Sequence, residues 1–254
     1  MNENVFSVAN KVVLITGSTT GIGRTLAEGF QAAGAEVWGH GPDAAHLDEL
    51  DTVLSGRVVA ADFTQPDQIE AMAAQLLQKL PHLDVLINNA GIEIIMPMER
   101  WNMAIFHKTL QVNTYAPVHL TSLLLPLLKK SPGASIINLT SVHETQPYPH
   151  NAAYSMSKAA LNMFTKTMCL ELAPFKIRIN NLAPGAVETN MNREVLKRIG
   201  YEKFEEWIPL GRVAQAEEMV PPAIFLASDA SIYMTGTTLY QEGGYIHNLV
   251  RYRP

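Results

Sequence analysis

The chain has 254 residues, 47% of them hydrophobic and 17% charged, with a formal net charge of −5. That length supports one well-buried α/β domain and is short for two, the acidic balance argues against a nucleic-acid binder, and no stretch approaches the ~18–20 apolar residues that span a bilayer. The single cysteine, Cys169, excludes an intramolecular disulfide, and with no secretory leader over Met1–Asn10 and no Cys/His cluster at zinc spacing it suits a metal-free protein of the reducing cytoplasm.

Taken in chain order, short apolar runs alternate with longer segments of helical period. Lys11–Thr16 predicts a first strand, a glycine-rich turn follows, and Ile22–Ala33 predicts a helix that Gly34 ends. Further strands are expected at Ala35–Gly39, Arg57–Ala61, Leu83–Asn88, Ala134–Thr140, Ile177–Leu182 and Thr237–Tyr240. Helices are expected at Asp67–Leu80, Phe106–Lys130, Ala152–Ala173 and Ala216–Ser228. Apolar runs without alternation suit strands buried on both faces, so the pattern predicts a single doubly wound Rossmann domain over 1–254. Its sheet has about seven parallel strands, with helices on both faces. The charged stretch at 190–209, which carries Tyr201, Phe204 and Trp207, stands outside this alternation and is expected to form a lid over a ligand.

The turn Thr16-Gly17-Ser18-Thr19-Thr20-Gly21-Ile22-Gly23 runs directly from the first strand into a helix. Glycines there let backbone approach a pyrophosphate, and the helix N-terminus offers unpaired N–H groups and partial positive charge. Tyr154 and Lys158 lie four residues apart in a predicted helix and project from one face. A free phenol, with a pKa near ~10, is a weak base at neutral pH, and a nearby ammonium should lower it. Ser141, just past the fifth strand, can hydrogen-bond a substrate oxygen and hold it against Tyr154, which takes or returns the hydroxyl proton.

The Gly-x-x-x-Gly-x-Gly spacing, Asn88-Asn89-Ala90-Gly91, Asn113, the Ser141–Tyr154–Lys158 set and Pro184-Gly185-Ala186-Val187-Glu188-Thr189 together resemble the short-chain dehydrogenase/reductase family nearly end to end. The resemblance implies NAD or NADP as cofactor, whose positive nicotinamide, when oxidised, should join the nearby ammonium in lowering the Tyr154 phenol. It places Gly17, Ser18, Thr20, Gly21, Ile22 and Gly23 at the phosphates, His40, Gly41, Asp62 and Phe63 at the adenosine, and Asn89, Ala90 and Gly91 along the dinucleotide. Pro184, Gly185, Val187 and Thr189 would cradle the nicotinamide, Lys158 and Tyr154 its ribose, and Asn113 a water leading from Lys158 to solvent. The position of the acid that usually selects NAD holds Gly41, and positions where NADP users carry Arg or Lys hold Thr20 and Pro42. Asp43 could reach the ribose or could cap the next helix, and the balance leans slightly to NAD.

Ser141-Val142-His143-Glu144, with Pro147 and Pro149, resembles bacterial glucose 1-dehydrogenases, as do Gly91-Ile92-Glu93 and the stretch from Tyr233 to Tyr245. That resemblance implies a carbohydrate substrate touched by Glu93, Ser141, His143 and Tyr154, with Asn190 and Asn192 adding contacts from the lid, and oxidation of an aldose to its lactone. Trp207, Met96 and Met98 are expected to shape this pocket differently. The rival readings are a 3-ketoacyl thioester or small-ketone reductase and, from another class, a non-catalytic nicotinamide sensor. A homotetramer is expected, with Leu161, Met163, Phe164, Met168 and Leu172 as interface or as intrachain core, and Arg251 or Arg253 of the basic tail as contacts to an anionic sugar in a neighbouring subunit.

Overall fold

The computed structural model describes residues 4–189, 193 and 200–248. Seven strands form one parallel sheet in the order β3-β2-β1-β4-β5-β6-β7: β1 Val12–Ile15, β2 Glu36–Gly41, β3 Val58–Ala60, β4 Val85–Asn88, β5 Ser135–Leu139, β6 Arg178–Pro184 and β7 Thr238–Gln241. Alternate side chains of each strand feed two cores. Leu14, Leu86, Ile136 and Ile179 pack under α3 (Pro66–Lys79), α5 (Ala116–Leu128) and α6 (Ala152–Leu172). Val13, Ile15, Ile87, Ile137 and Leu182 pack under α1 (Gly21–Ala32), α2 (Asp48–Leu54) and α8 (Val220–Ala227). The order reverses between β1 and β4, and in such a sheet the crevice for a ligand opens there, at the carboxyl ends of the strands.

Every expected strand is present. Helix α2 goes beyond the predicted elements: its seven residues bury only Leu50 and Leu54, too short a stripe for a helical period to stand out. The continuous helix expected over Phe106–Lys130 is instead α4 (Met103–Leu110), a π-helical turn over Gln111–Tyr115, and α5. Pro117 explains the break: it has no N–H for the Asn113 carbonyl four residues back, and its ring would crowd that oxygen in an ordinary helix. Of the proposed lid, Asn190 and Asn192 lie outside the described residues, as do Arg251 and Arg253. The described part contains α7 (Tyr201–Glu205), and Phe204 of that helix packs on Trp207 with ring centroids 5.2 Å apart.

Candidate active site

A cleft of about 580 Å³ runs across the carboxyl ends of the strands and is the larger of the two cavities characterised. Its floor is the turn between β1 and α1. Gly17 adopts φ +63°, and a Cβ there would stand 2.7 Å from the Ala90 Cα. Gly23 is tighter still, since a Cβ would meet the Gly17 carbonyl at 2.1 Å and Asn89 Nδ2 at 2.3 Å. Asn89 explains the closeness: its Nδ2 donates to the carbonyls of Thr16 (2.9 Å) and Gly17 (3.0 Å), clamping the turn onto the end of β4. The first-turn N–H groups of α1 are thereby aimed into the cleft, a fit for a pyrophosphate.

His40 locks the turn from the other side. The Gly17 N–H donates to His40 Nδ1 (3.0 Å), so the ring proton sits on Nε2, which donates to the Ala61 carbonyl (2.9 Å). Burial pulls the His40 pKa from 6.5 to about 4, with the Ala61 bond opposing, and the ring is neutral and stacked on Phe63 at 4.2 Å. Asp62, Thr64 and Pro42 complete that end of the cleft. Two residues expected at the cofactor stand behind the wall instead. Ser18 is fully buried, its hydroxyl accepting from the His40 N–H (2.8 Å), and Gly41 is covered by Thr19, whose Cγ2 a Cβ at Gly41 would meet at 2.6 Å. Thr19 takes the place on the wall. Asp43 resolves in favour of capping: its carboxylate accepts from the His46 N–H (3.1 Å) and pairs with the His46 ring at 2.8 Å, which holds its pKa below the ordinary value.

At the far end the cleft brings together Ser141, His143, Tyr154, Lys158, Glu93, Pro184, Gly185, Val187 and Thr189. Ser141 is delivered by the end of β5 and itself caps a short 3-10 turn, accepting from the His143 N–H (3.1 Å). Tyr154 and Lys158 come from one face of α6, with Lys158 Nζ 5.6 Å from the phenol ring centroid. Lys158 by itself does not lower the phenol. Burial pushes Tyr154 above its ordinary value, the Glu93 charge pushes the same way, and a hydrogen bond with Ser141 opposes both. Lys158 gives one of its three donors to the Leu139 carbonyl (2.7 Å). Burial lowers it to about 8, and only the charges of Glu93 and Glu144 keep it from falling further.

Asn113 is fully buried at the π-turn and does not line the cleft. Its Oδ1 accepts from the Ile92 N–H (2.8 Å) and its Nδ2 donates to the Ile92 carbonyl (2.8 Å) and Ser157 Oγ (3.0 Å). The side chain thus fixes the loop carrying Glu93, and a water relay would have to use the Asn113 main chain. Met96 is core and Met98 is exposed, so neither shapes the pocket; nor does Trp207 line it. Tyr148, Phe204 and Tyr245 line it instead, brought together from the loop before α6, from α7 and from the turn after β7. Each carried a partial signal: Phe204 belongs to the stretch expected to cover a ligand, Tyr245 ends the tail that resembles glucose 1-dehydrogenases, and Tyr148 lies between Pro147 and Pro149.

A parallel, doubly wound sheet with a glycine turn at its switch point and a Ser–Tyr–Lys group across the cleft defines a nicotinamide-dependent oxidoreductase. Residues 17–246 match the family described as enoyl-(acyl carrier protein) reductase. The 3beta-hydroxysteroid dehydrogenase 1 of Eggerthella lenta is 35% identical over 246 residues, spanning 92% of this chain and 93% of its own. The glucose 1-dehydrogenase of Gluconobacter oxydans is 33% identical over 250 residues, spanning 93% and 92%. A solved gluconate 5-dehydrogenase of Burkholderia cenocepacia, in complex with NADP and tartrate, superposes with a TM-score of 0.90 at 30% identity, covering 96% of this chain and 98% of its own. The chain belongs to the short-chain dehydrogenase/reductase family, enzymes that move hydride between a CH–OH carbon and a nicotinamide cofactor. No helix among the described residues is long and apolar enough to cross a membrane.

Proposed function

We propose that this protein oxidises an aldose at C1 to the lactone, in one domain whose cleft is covered by the stretch at 190–209. The observation that carries this reading is the polar wall facing Tyr154: Glu93, His143 and the Tyr148 phenol line the same end of the cleft. His143 donates from Nδ1 to the Gln146 carbonyl (2.9 Å), so its Nε2 keeps a lone pair for a substrate hydroxyl. A site built from such groups rejects molecules that lack the matching hydroxyls, because its own polar atoms would be left unpaired.

The cofactor supplies, when bound and oxidised, a hydride acceptor and a positive ring charge. Ser141 would orient the substrate hydroxyl and Lys158 would hold the ribose; Tyr154, favoured as phenolate by that ring charge together with the Lys158 ammonium, would take the hydroxyl proton. Gly17, Thr20, Gly21, Ile22 and Gly23 hold the phosphates, with Asn89, Ala90 and Gly91 opposite. Pro184, Gly185, Val187 and Thr189 hold the nicotinamide end, and His40, Asp62 and Phe63 the adenosine. NAD is favoured over NADP: Pro42 and Thr20 offer no cation for a 2′-phosphate, and His40 is neutral. The protein works in the cytoplasm as a homotetramer.

Reduction of NAD and NADP across an aldose panel, with Tyr154→Phe as control, tests this. The expected outcome is turnover on at least one aldose, faster with NAD, falling by about 10²–10⁴-fold in the variant. A second reading, reduction of an acyl thioester or a ketone, is favoured by Ile92, Ile95, Val142 and Phe204 in the same cleft. It wins if those substrates turn over and every sugar is inert.

A further inference from the structure

Asn151 is the residue that precedes α6, three positions before Tyr154, and it is 1% exposed. Its Nδ2 donates to Glu93 Oε1, while its own Oδ1 is buried without a partner. The backbone around it is held at both ends: its N–H donates to the Tyr148 carbonyl (3.2 Å) and its carbonyl accepts from the Ser155 N–H (2.9 Å). The backbone that carries Asn151 is therefore fixed beside Glu93. The loop that carries Glu93 is fixed as well, by Asn113 on Ile92 and by the Met96 N–H donating to the His150 carbonyl (2.7 Å). A carboxylate is thus held on the cleft wall beside Tyr154 and Lys158, with one oxygen bonded to Asn151 and, among the described residues, no donor on the other.

The charges around it decide what that oxygen can meet. Among the described residues no arginine lines the cleft; its cations are Lys158, whose charge already faces Glu93 and Glu144, and Lys108, one helical turn before Val112. The acids are Glu93 and, at the adenosine end, Asp62. A substrate hydroxyl can donate to Glu93, whereas a substrate carboxylate meets a like charge in a partly enclosed site, with no guanidinium to offset it. Glu93 is close enough to bear on both catalytic groups, since its charge is felt at Tyr154 and at Lys158.

We propose that Asn151 is a positioning residue that fixes Glu93 as the acceptor of a substrate hydroxyl, and that the carboxylate so held selects neutral polyhydroxy substrates against their acids. This rests on the sugar reading above and adds the charge of the sugar to it.

The test is steady-state kinetics on neutral aldohexoses, D-glucose first, against the matching hexuronates, D-glucuronate first, in the wild type, Glu93→Gln and Asn151→Ala. Cofactor affinity by fluorescence serves as a check on folding. The wild type should favour the neutral sugar by at least about tenfold in kcat/KM, the size of one like-charge contact in a partly screened site. Glu93→Gln, which keeps shape and removes charge, should compress that ratio at least about fivefold. Asn151→Ala should lose about tenfold on the neutral sugar through KM, with cofactor affinity near wild type. An unchanged ratio in Glu93→Gln, or a wild type that prefers the acid, overturns the proposal while leaving a sugar dehydrogenase in place, and the second result would point to the basic tail. Turnover of lipophilic alcohols alone, with every sugar inert, overturns the sugar reading and this inference with it.

Discussion

At the scale of single residues, His40 makes a pH dependence with a definite sign. Its pKa is near 4 in the folded chain and near 6.5 when unfolded, because burial penalises the cation and Gly17 already uses Nδ1 as an acceptor. Between those values the unfolded chain binds a proton that the folded chain refuses. Stability therefore falls as pH drops from about 6.5 towards 4, by up to about 3 kcal/mol. Chemical denaturation at pH 7 and pH 4.5 should show this loss in the wild type and a flatter dependence in His40→Asn, at some cost in stability at pH 7. Cofactor affinity should hold across most of that interval and weaken only as pH falls to about 4, where protonating folded His40 breaks its bond to the first glycine of the phosphate turn. Equal slopes in wild type and variant would count against His40 as the titrating group.

At the scale of elements, the sheet is cross-linked by side chains as well as by backbone. Asn88, Asn138, Asn181 and Thr238 stand in register on β4, β5, β6 and β7. Asn88 Nδ2 donates to Asn138 Oδ1 (2.8 Å), Asn138 Nδ2 to Thr165 Oγ1 (2.8 Å), and Thr165 Oγ1 to Asn181 Oδ1 (2.6 Å). The chain continues through Asn162 of α6 to Glu144, which also accepts from Tyr240 (2.8 Å). That last bond, after burial, raises the Tyr240 phenol to about 12. Glu144 follows Ser141 by three residues, so the ladder ties the catalytic turn to the far edge of the sheet. Replacing Asn138 by Leu removes two buried bonds, leaving Asn88 Nδ2 only Thr121 Oγ1 (3.3 Å) and Thr165 Oγ1 only its donation to Asn181, and should cost about 1–3 kcal/mol in a urea titration. A near-neutral substitution would mean that water fills the gap.

At the scale of the whole molecule, α6 presents Met156, Met163 and Leu170 to solvent at intervals of seven residues, each at least half exposed. Of the helix residues expected at an interface, Leu161 and Leu172 are core, Phe164 and Met168 are partly buried against the same core, and only Met163 is exposed. The interface of the proposed tetramer accordingly lies one helical face away from the apolar run. Light scattering at micromolar concentration should give the tetramer mass for the wild type and a smaller species for Met163→Asp, because a buried unpaired carboxylate is costly at a subunit contact. A monomeric wild type would remove the tetramer.

The linear chain by itself determined the seven strands, the glycine turn and the Ser141–Tyr154–Lys158 spacing, because buried parallel strands and a helical i, i+4 pair leave local signatures that survive without a third dimension. It also marked Glu93 and His143, whose neighbours in sequence resemble a sugar enzyme. Only the tertiary structure decided which face of α6 is exposed, that Ser18 and Gly41 stand behind the wall, and that Asn113 serves the Ile92 backbone. It alone showed that Asn151 grips Glu93 and that an asparagine ladder reaches Glu144. Each of these joins residues tens of positions apart in sequence. Their partners are chosen by sheet order and by the packing of α6 across it, which no local pattern encodes.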